Sequence, residues 1–217
     1  MEVLKTFLRE HTSLSVTDRG GWFYALHQEN GAEETVVFRA DMDAIKGPGN
    51  IPYHGCGHDG HSAILAGLCL LTEGRVFQKN LCFLFQPAEE TGEGGNPCSR
   101  LLEELGADRV YGFHNLPGYP LGTAVMRRET FSCDTVNTPE ITDMSRMLFE
   151  QEGIPCLEAA APFRWSEDFG WYLKKCRGMY FGIGAGEDCP DLHTPDYEFP
   201  DEVIRNAVRC LYLLAEI

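Results

Sequence analysis

Asn80-Leu81-Cys82-Phe83-Leu84-Phe85-Gln86-Pro87-Ala88-Glu89-Glu90 is the stretch that decides the fold. Five consecutive apolar residues, too few for a helix and bounded by Pro87, read as a fully buried strand over Asn80–Gln86. Two adjacent carboxylates follow at once. The same pattern recurs upstream, where Thr35-Val36-Val37-Phe38-Arg39-Ala40 reads as a strand and runs into Asp41-Met42-Asp43. It recurs downstream too, where Arg109 to Phe113 reads as a strand followed by His114. Three strands thus each deliver a polar group at the carboxyl end, where ligand sites of open α/β sheets gather.

Working outward, helical and strand-like patterns alternate. Val3, Leu4, Phe7 and Leu8 give a helical face, Trp22 to His27 a strand, His61 to Glu73 a Leu- and Ala-rich helix, and Gly122 to Met126 a further strand. Thr138-Pro139-Glu140 starts a helix that Gly153 stops, and Pro200-Asp201-Glu202 starts the last helix in the same way. This order predicts an α/β protein with three layers, α/β/α, around a mixed and largely parallel sheet. The 217 residues, 43% of them hydrophobic, suffice for one sizeable core, so a single domain over 1–217 is expected.

The formal net charge of −15 and the lack of a basic cluster beyond Arg127-Arg128 exclude nucleic acid as a partner. The acidity reads as a solvated surface. No stretch approaches the apolar length that spans a bilayer, and the first residues read as an amphipathic helix, so a soluble, unexported protein without a membrane partner is expected. Nine cysteines, several at apolar positions such as Cys69, Cys82 and Cys210, fit reduced thiols in the cytoplasm.

Cys56 differs, standing in Cys56-Gly57-His58-Asp59-Gly60-His61. Five of the seven histidines, His54, His58, His61, His114 and His193, fall in or beside the polar segments. Sulfur, imidazole and carboxylate together suit zinc-like metals, and Glu89-Glu90 offers one carboxylate to a metal and one to a water. Asp43, Asp59 and His61 have two open readings, helix caps or hydrogen-bonding groups on one side and site residues on the other. Glu167-Asp168 reads as a cap for a helix through Phe169 and Leu173, with a direct role in the site as the alternative.

These segments resemble the metal-dependent amidohydrolase family of aminoacylases, N-acetyl-diaminopimelate deacetylases and indole-acetyl amino acid conjugate hydrolases. Phe38–Ala44, His54–His61, Phe85–Glu90, Trp165–Phe169 and Leu192–Pro195 match its motifs in order. The resemblance implies Cys56, His58, Glu90, His114 and His193 as ligands of two divalent ions (Zn, Mn, Co or Ni), Glu89 as general base, and Asp41 as a carboxylate that orients a ligand. It implies hydrolysis of amide bonds in N-acyl amino acids or small peptides.

The chain departs from that family in one respect. The family's inserted lid domain, source of dimer contacts and of an oxyanion-stabilising His, is expected to be missing near 127–134, where Gly122-Thr123-Ala124 passes through Arg127–Ser132 to Asp134–Asn137. A monomer is therefore expected. Loss of one oxyanion donor costs about two to three powers of ten in turnover, so a lidless enzyme is expected to be slow. Two alternatives follow from the same loss: a metal- or ligand-binding relative without catalysis, and a catalytic piece completed by a partner chain.

Overall fold

A computed structural model of the chain describes residues 1–217, the side chain of Pro48 aside. Its first half runs α1 (Glu2–His11), β1 (Ser15–Asp18), β2 (Phe23–His27), β3 (Thr35–Asp41), β4 (Ile45–Lys46), β5 (Pro52–Tyr53), α2 (His58–Thr72) and β6 (Asn80–Gln86). Next come α3 (Gly95–Leu105), β7 (Arg109–Pro117), β8 (Ala124–Met126), β9 (Thr130–Ser132) and β10 (Thr135–Val136). The chain closes with α4 (Pro139–Gln151), β11 (Cys156–Glu158), α5 (Gly170–Leu173), β12 (Arg177–Gly186) and α6 (Glu202–Glu216).

Eight strands form one sheet in the order β1-β2-β6-β3-β7-β12-β8-β11. Its pairings β3 with β6, β3 with β7, β7 with β12 and β8 with β11 are parallel, and the remaining three are antiparallel. The expected mixed, largely parallel sheet is therefore observed.

Strand alternation makes the layers. Val36, Phe38 and Ala40 of β3 face a core shared with Leu8, Ile64, Phe149 and Leu211 of α1, α2, α4 and α6. Val37 and Tyr180 point the other way, onto Cys98 and Leu101 of α3 and Tyr172 of α5. Each buried Val, Leu, Ile or Phe among them contributes about 1.5–3 kcal/mol by leaving water.

Several boundaries differ from the sequence reading. Helix α2 starts at His58, three residues before the expected His61, because Gly57 adopts a left-handed φ of 89° that turns the chain into it. β7 continues through His114 to Pro117, so His114 lies within the strand rather than after it, paired with Gly182 of β12. β1, α3, β11, β12 and the short strands β4, β5, β9 and β10 are additional, while α5 is the helix expected through Phe169 and Leu173. β12 escapes an apolar pattern because its glycines serve close approach: a Cβ on Gly178 would stand 2.0 Å from the Val110 carbonyl oxygen, and one on Gly184 2.0 Å from that of Pro120.

Residues 130–136 form the small hairpin β9–β10 between β8 and α4. Among the described residues, no helix is long and apolar enough to cross a membrane. All nine cysteines are free, and Cys69, Cys82 and Cys210 are fully buried.

Candidate metal centre

The carboxyl ends of β3, β6 and β7 lie side by side, in register at Asp41 and Gln86 and, lower in the sheet, at Arg39 and Gly112. They carry Asp41, the Glu89-Glu90 loop and His114 into one region. The amino end of α2 brings Cys56 and His58 to it. The loop after β12 brings His193, whose N–H donates to the Gly55 carbonyl at 2.8 Å.

The structure gathers the five residues named as ligands into two overlapping groups. Cys56, His58 and His114 form one and Cys56, Glu90 and His193 the other, each with donor atoms within 4.8 Å of one another. Cys56 Sγ is 3.5 Å from His114 Nε2, and Glu90 Oε1 is 3.2 Å from His193 Nε2. Cys56, Glu89, Glu90, His114 and His193 line one cavity of about 250 Å³, with Trp165, Ser166, Glu167 and Leu192 completing it.

Hydrogen bonds fix which imidazole nitrogens face inward. His114 Nδ1 donates to the Asn115 carbonyl at 2.8 Å, and burial holds the ring neutral by pushing its pKa well below the ordinary value, leaving the Nε2 lone pair beside Cys56. His58 Nδ1 pairs with Asp43 at 3.2 Å, while its Nε2 is buried without a partner, as is Glu90 Oε1. Burial disfavours a charged His58, but Asp41 and the Asp43 hydrogen bond outweigh it and raise its pKa well above the usual value. Burial also pushes the Cys56 thiol up to about 12. Such a thiol becomes a thiolate only beside a cation.

Both Asp41 and Asp43 face His58, Asp43 through a hydrogen bond and Asp41 at longer range. Asp43 is the carboxylate on the His58 ring, and its other oxygen accepts the Glu90 N–H at 3.1 Å. Asp41, wholly buried, instead receives Arg39 at 2.5 Å and His61, and lies 3.8 Å from His58 Nε2. His61 is thus a hydrogen-bonding residue of α2, joined on its far side to Asn115. Asp59 is exposed in the first turn of α2.

Glu167 and Asp168 do more than cap. Glu167 accepts the Phe169 N–H ahead of α5, yet both carboxylates are buried against Arg39, Asp168 at 2.7 Å and Glu167 at 3.4 Å. Arg39, 1% exposed, also donates to Gln86 at 2.8 Å and serves as the counter-ion beneath the site. Sequence reasoning assigned it no role, although a guanidinium inside an apolar strand is a signal that a buried partner exists. Burial, then the charges of Glu167 and Asp41, push the Glu89 carboxyl up to about 9. Trp165, a wall of the cavity, belongs to a motif segment whose spacing gives no sign of that position.

Two site loops hold non-glycine residues at positive φ, Ala88 at 56° and His193 at 64°. Such backbone persists where surrounding contacts enforce it, commonly at functional sites.

Residues 37–217 match the family model for peptidases M20/M25/M40. The chain belongs to this family. Among curated relatives, an N-acetyldiaminopimelate deacetylase of Listeria monocytogenes is 35% identical over 112 residues, covering 45% of this chain and 30% of the relative. One from Priestia megaterium is 28% identical over 147 residues, covering 62% and 39%. The chain thus spans well under half the length of the curated relatives it matches. In fold it resembles the Bacillus subtilis YXEP protein, described as a dinuclear metal binding peptidase from the M20 family (TM-score 0.85, 16% identity, 99% of this chain and 90% of that one). It also resembles the Legionella pneumophila LapA aminopeptidase (TM-score 0.72, 17% identity, 100% and 64%).

Proposed function

We propose that this chain is a metal-dependent hydrolase of amide bonds in N-acyl amino acids or small peptides. One observation carries the reading: His58 Nε2 and Glu90 Oε1 are buried 3.9 Å apart with no hydrogen bond, beside Cys56 and His114, although His193 Nε2 stands 3.2 Å from Glu90 Oε1. Two polar atoms buried together without hydrogen bonds are costly, and cations bound beside them would remove the cost. The donor chemistry fits zinc, manganese, cobalt or nickel. Cys56, His58 and His114 would hold one ion and Cys56, Glu90 and His193 a second, with Cys56 common to both. When bound, the ions supply Lewis acidity toward the amide carbonyl and toward water.

The remaining chemistry belongs to side chains. Glu89 lines the cavity and is not one of the five ligands; bound cations would offset the burial and the neighbouring acids that raise its pKa, leaving its carboxylate to take the proton from the attacking water and pass it to the leaving amine nitrogen. Asp43 orients His58, and the Arg39 cluster keeps Asp41 charged beneath it. Relatives named as N-acetyldiaminopimelate deacetylases support an N-acyl amino acid as substrate, and the dinuclear description of the Bacillus protein supports two ions.

The same reading makes 1–217 a single catalytic domain in which the short hairpin β9–β10 stands where the family inserts its lid. A monomer follows, since the dimer contacts belong to the lid. Nine free thiols support a cytoplasmic location. Equilibrium dialysis against zinc tests the centre: two ions per chain are expected, and Cys56→Ala should weaken both. Retention of both ions at full affinity by Cys56→Ala would refute it.

A further inference from the structure

The five proposed ligands are not held alike. Cys56, His58, Glu90 and His114 lie on or beside β6, β7 and the amino end of α2, whereas His193 lies within residues 187–201, a loop without helix or strand between β12 and α6. The His193 side chain is 51% exposed, so its imidazole depends on the anchorage of that loop to face Glu90.

Among the described residues, two hydrogen bonds tie the loop to distant parts of the chain. One is the His193 N–H to the Gly55 carbonyl at 2.8 Å, and in the other Asn115 Nδ2 donates to the Tyr197 hydroxyl at 2.6 Å. Tyr197 alone among the described residues of the loop is buried, at 6% exposure. Glycines at the amino end of α2 make its seat: a Cβ on Gly57 would stand 2.7 Å from the Tyr197 hydroxyl, and one on Gly60 2.4 Å from the Phe199 ring.

Behind the hydroxyl the anchorage continues inward. Asn115 Oδ1 accepts from His61 Nε2 at 2.6 Å, and His61 Nδ1 pairs with Asp41, which Arg39 holds. Asn115, His61 and Asp41 are each no more than 1% exposed, and a buried, connected set of this kind is rigid. Toward His193 the connection is short. The Tyr197 N–H donates to the Thr194 carbonyl at 3.1 Å, and the Thr194 hydroxyl donates to the Asp191 carbonyl at 2.7 Å, with Pro195 stiffening the turn between. The other ligand group has its own supports, Asp43 on His58 and the Asn115 backbone carbonyl on His114.

Resting on the two-ion reading above, we propose that Tyr197 is the positioning residue for the second ion. Its hydroxyl, bound to Asn115, holds the loop so that His193 faces Glu90. Without the hydroxyl the loop gains conformational freedom, and the entropy of ordering it then opposes binding at Cys56, Glu90 and His193 but not at Cys56, His58 and His114.

Equilibrium dialysis against zinc tests this, with the urea midpoint of the metal-free chain as the check on folding. The unsubstituted chain should bind two ions. Tyr197→Phe, which deletes one oxygen and keeps the ring, should weaken one ion at least about tenfold and the other by less than about threefold. His193→Ala should lose the same ion, and adding Tyr197→Phe to it should change the remaining affinity by less than about threefold. A purely structural role would lower the urea midpoint and weaken both ions together, without the split. Equal weakening of both ions, or weakening of neither, overturns the proposal. If Tyr197→Phe fails to fold, Asn115→Ala removes the same hydrogen bond from the other side and leaves the carbonyl that holds His114; it must show the same split, or the proposal falls. Two ions on the unsubstituted chain with no split in the variants overturn this proposal alone. One ion or none overturns the two-ion reading and this proposal with it.

Discussion

Asp43 accepts a hydrogen bond from His58 Nδ1 at 3.2 Å, and the opposite nitrogen of the same ring is buried with nothing to bond. A carboxylate on one nitrogen fixes the ring and enriches the other, the usual support for a metal-bound imidazole. The second oxygen of Asp43 holds the backbone of Glu90. One side chain therefore positions a residue in each of the two groups that share Cys56.

Asp43→Asn should weaken metal affinity by about 10- to 100-fold, because the amide neither polarises the ring nor accepts from Glu90 equally well. Competition with a chromogenic chelator measures this. Activity should return at high metal concentration.

Arg39→Met should destabilise the fold by about 3–5 kcal/mol, since it leaves Asp41, Glu167 and Asp168 buried together without a counter-ion. Urea unfolding gives the value. A loss below about 1 kcal/mol would show that the cluster is neutralised in some other way.

Glu167 predicts a pH dependence. Burial raises its pKa to about 7, with Arg39 opposing and Asp41 and Asp168 reinforcing the rise. A carboxyl that keeps its proton longer when folded contributes stability at low pH and loses it as pH climbs from the unfolded value through the folded one. The urea midpoint of the metal-free chain should therefore carry a falling component between pH 4.5 and about 7 that Glu167→Gln removes. An unaltered profile in that variant would contradict the assignment.

Gly57→Ala should disturb the site and the fold together. Its φ of 89° already disfavours a side chain, and a Cβ there would stand 2.7 Å from the Tyr197 hydroxyl and 2.8 Å from Asn115 Oδ1. A cost of about 1–3 kcal/mol is expected, with a parallel drop in metal affinity as Cys56 and His58 shift. Thermal unfolding with and without zinc separates the two.

Much of this architecture was legible in the chain. β3 and β6 announce themselves because strands buried on both faces read as continuous apolar runs, and the residues just past them fall where sheet ligands collect. β12 was not legible, since the glycines that let it pack against Val110 and Pro120 erase its pattern. Nor was α3, which opens Gly95-Asn96-Pro97 and follows Gly94, whose Cβ would meet the Pro87 carbonyl at 1.8 Å. In the site, residue types and spacing named the ligand atoms, but the division of labour between Asp41 and Asp43 depends on side-chain directions that spacing does not contain. Arg39 shows the same limit, for two of its three acidic partners, Glu167 and Asp168, come from a distant segment while Asp41 lies on its own strand.

The central claim is tested most directly by following amine release from N-acetylated amino acids and dipeptides by the purified chain, loaded in turn with zinc, manganese, cobalt and nickel. Turnover that a chelator abolishes and that Glu89→Gln lowers by at least about a hundredfold, with metal binding retained, is the predicted result. Full activity in Glu89→Gln, or no turnover with any metal by folded and loaded protein, would contradict it.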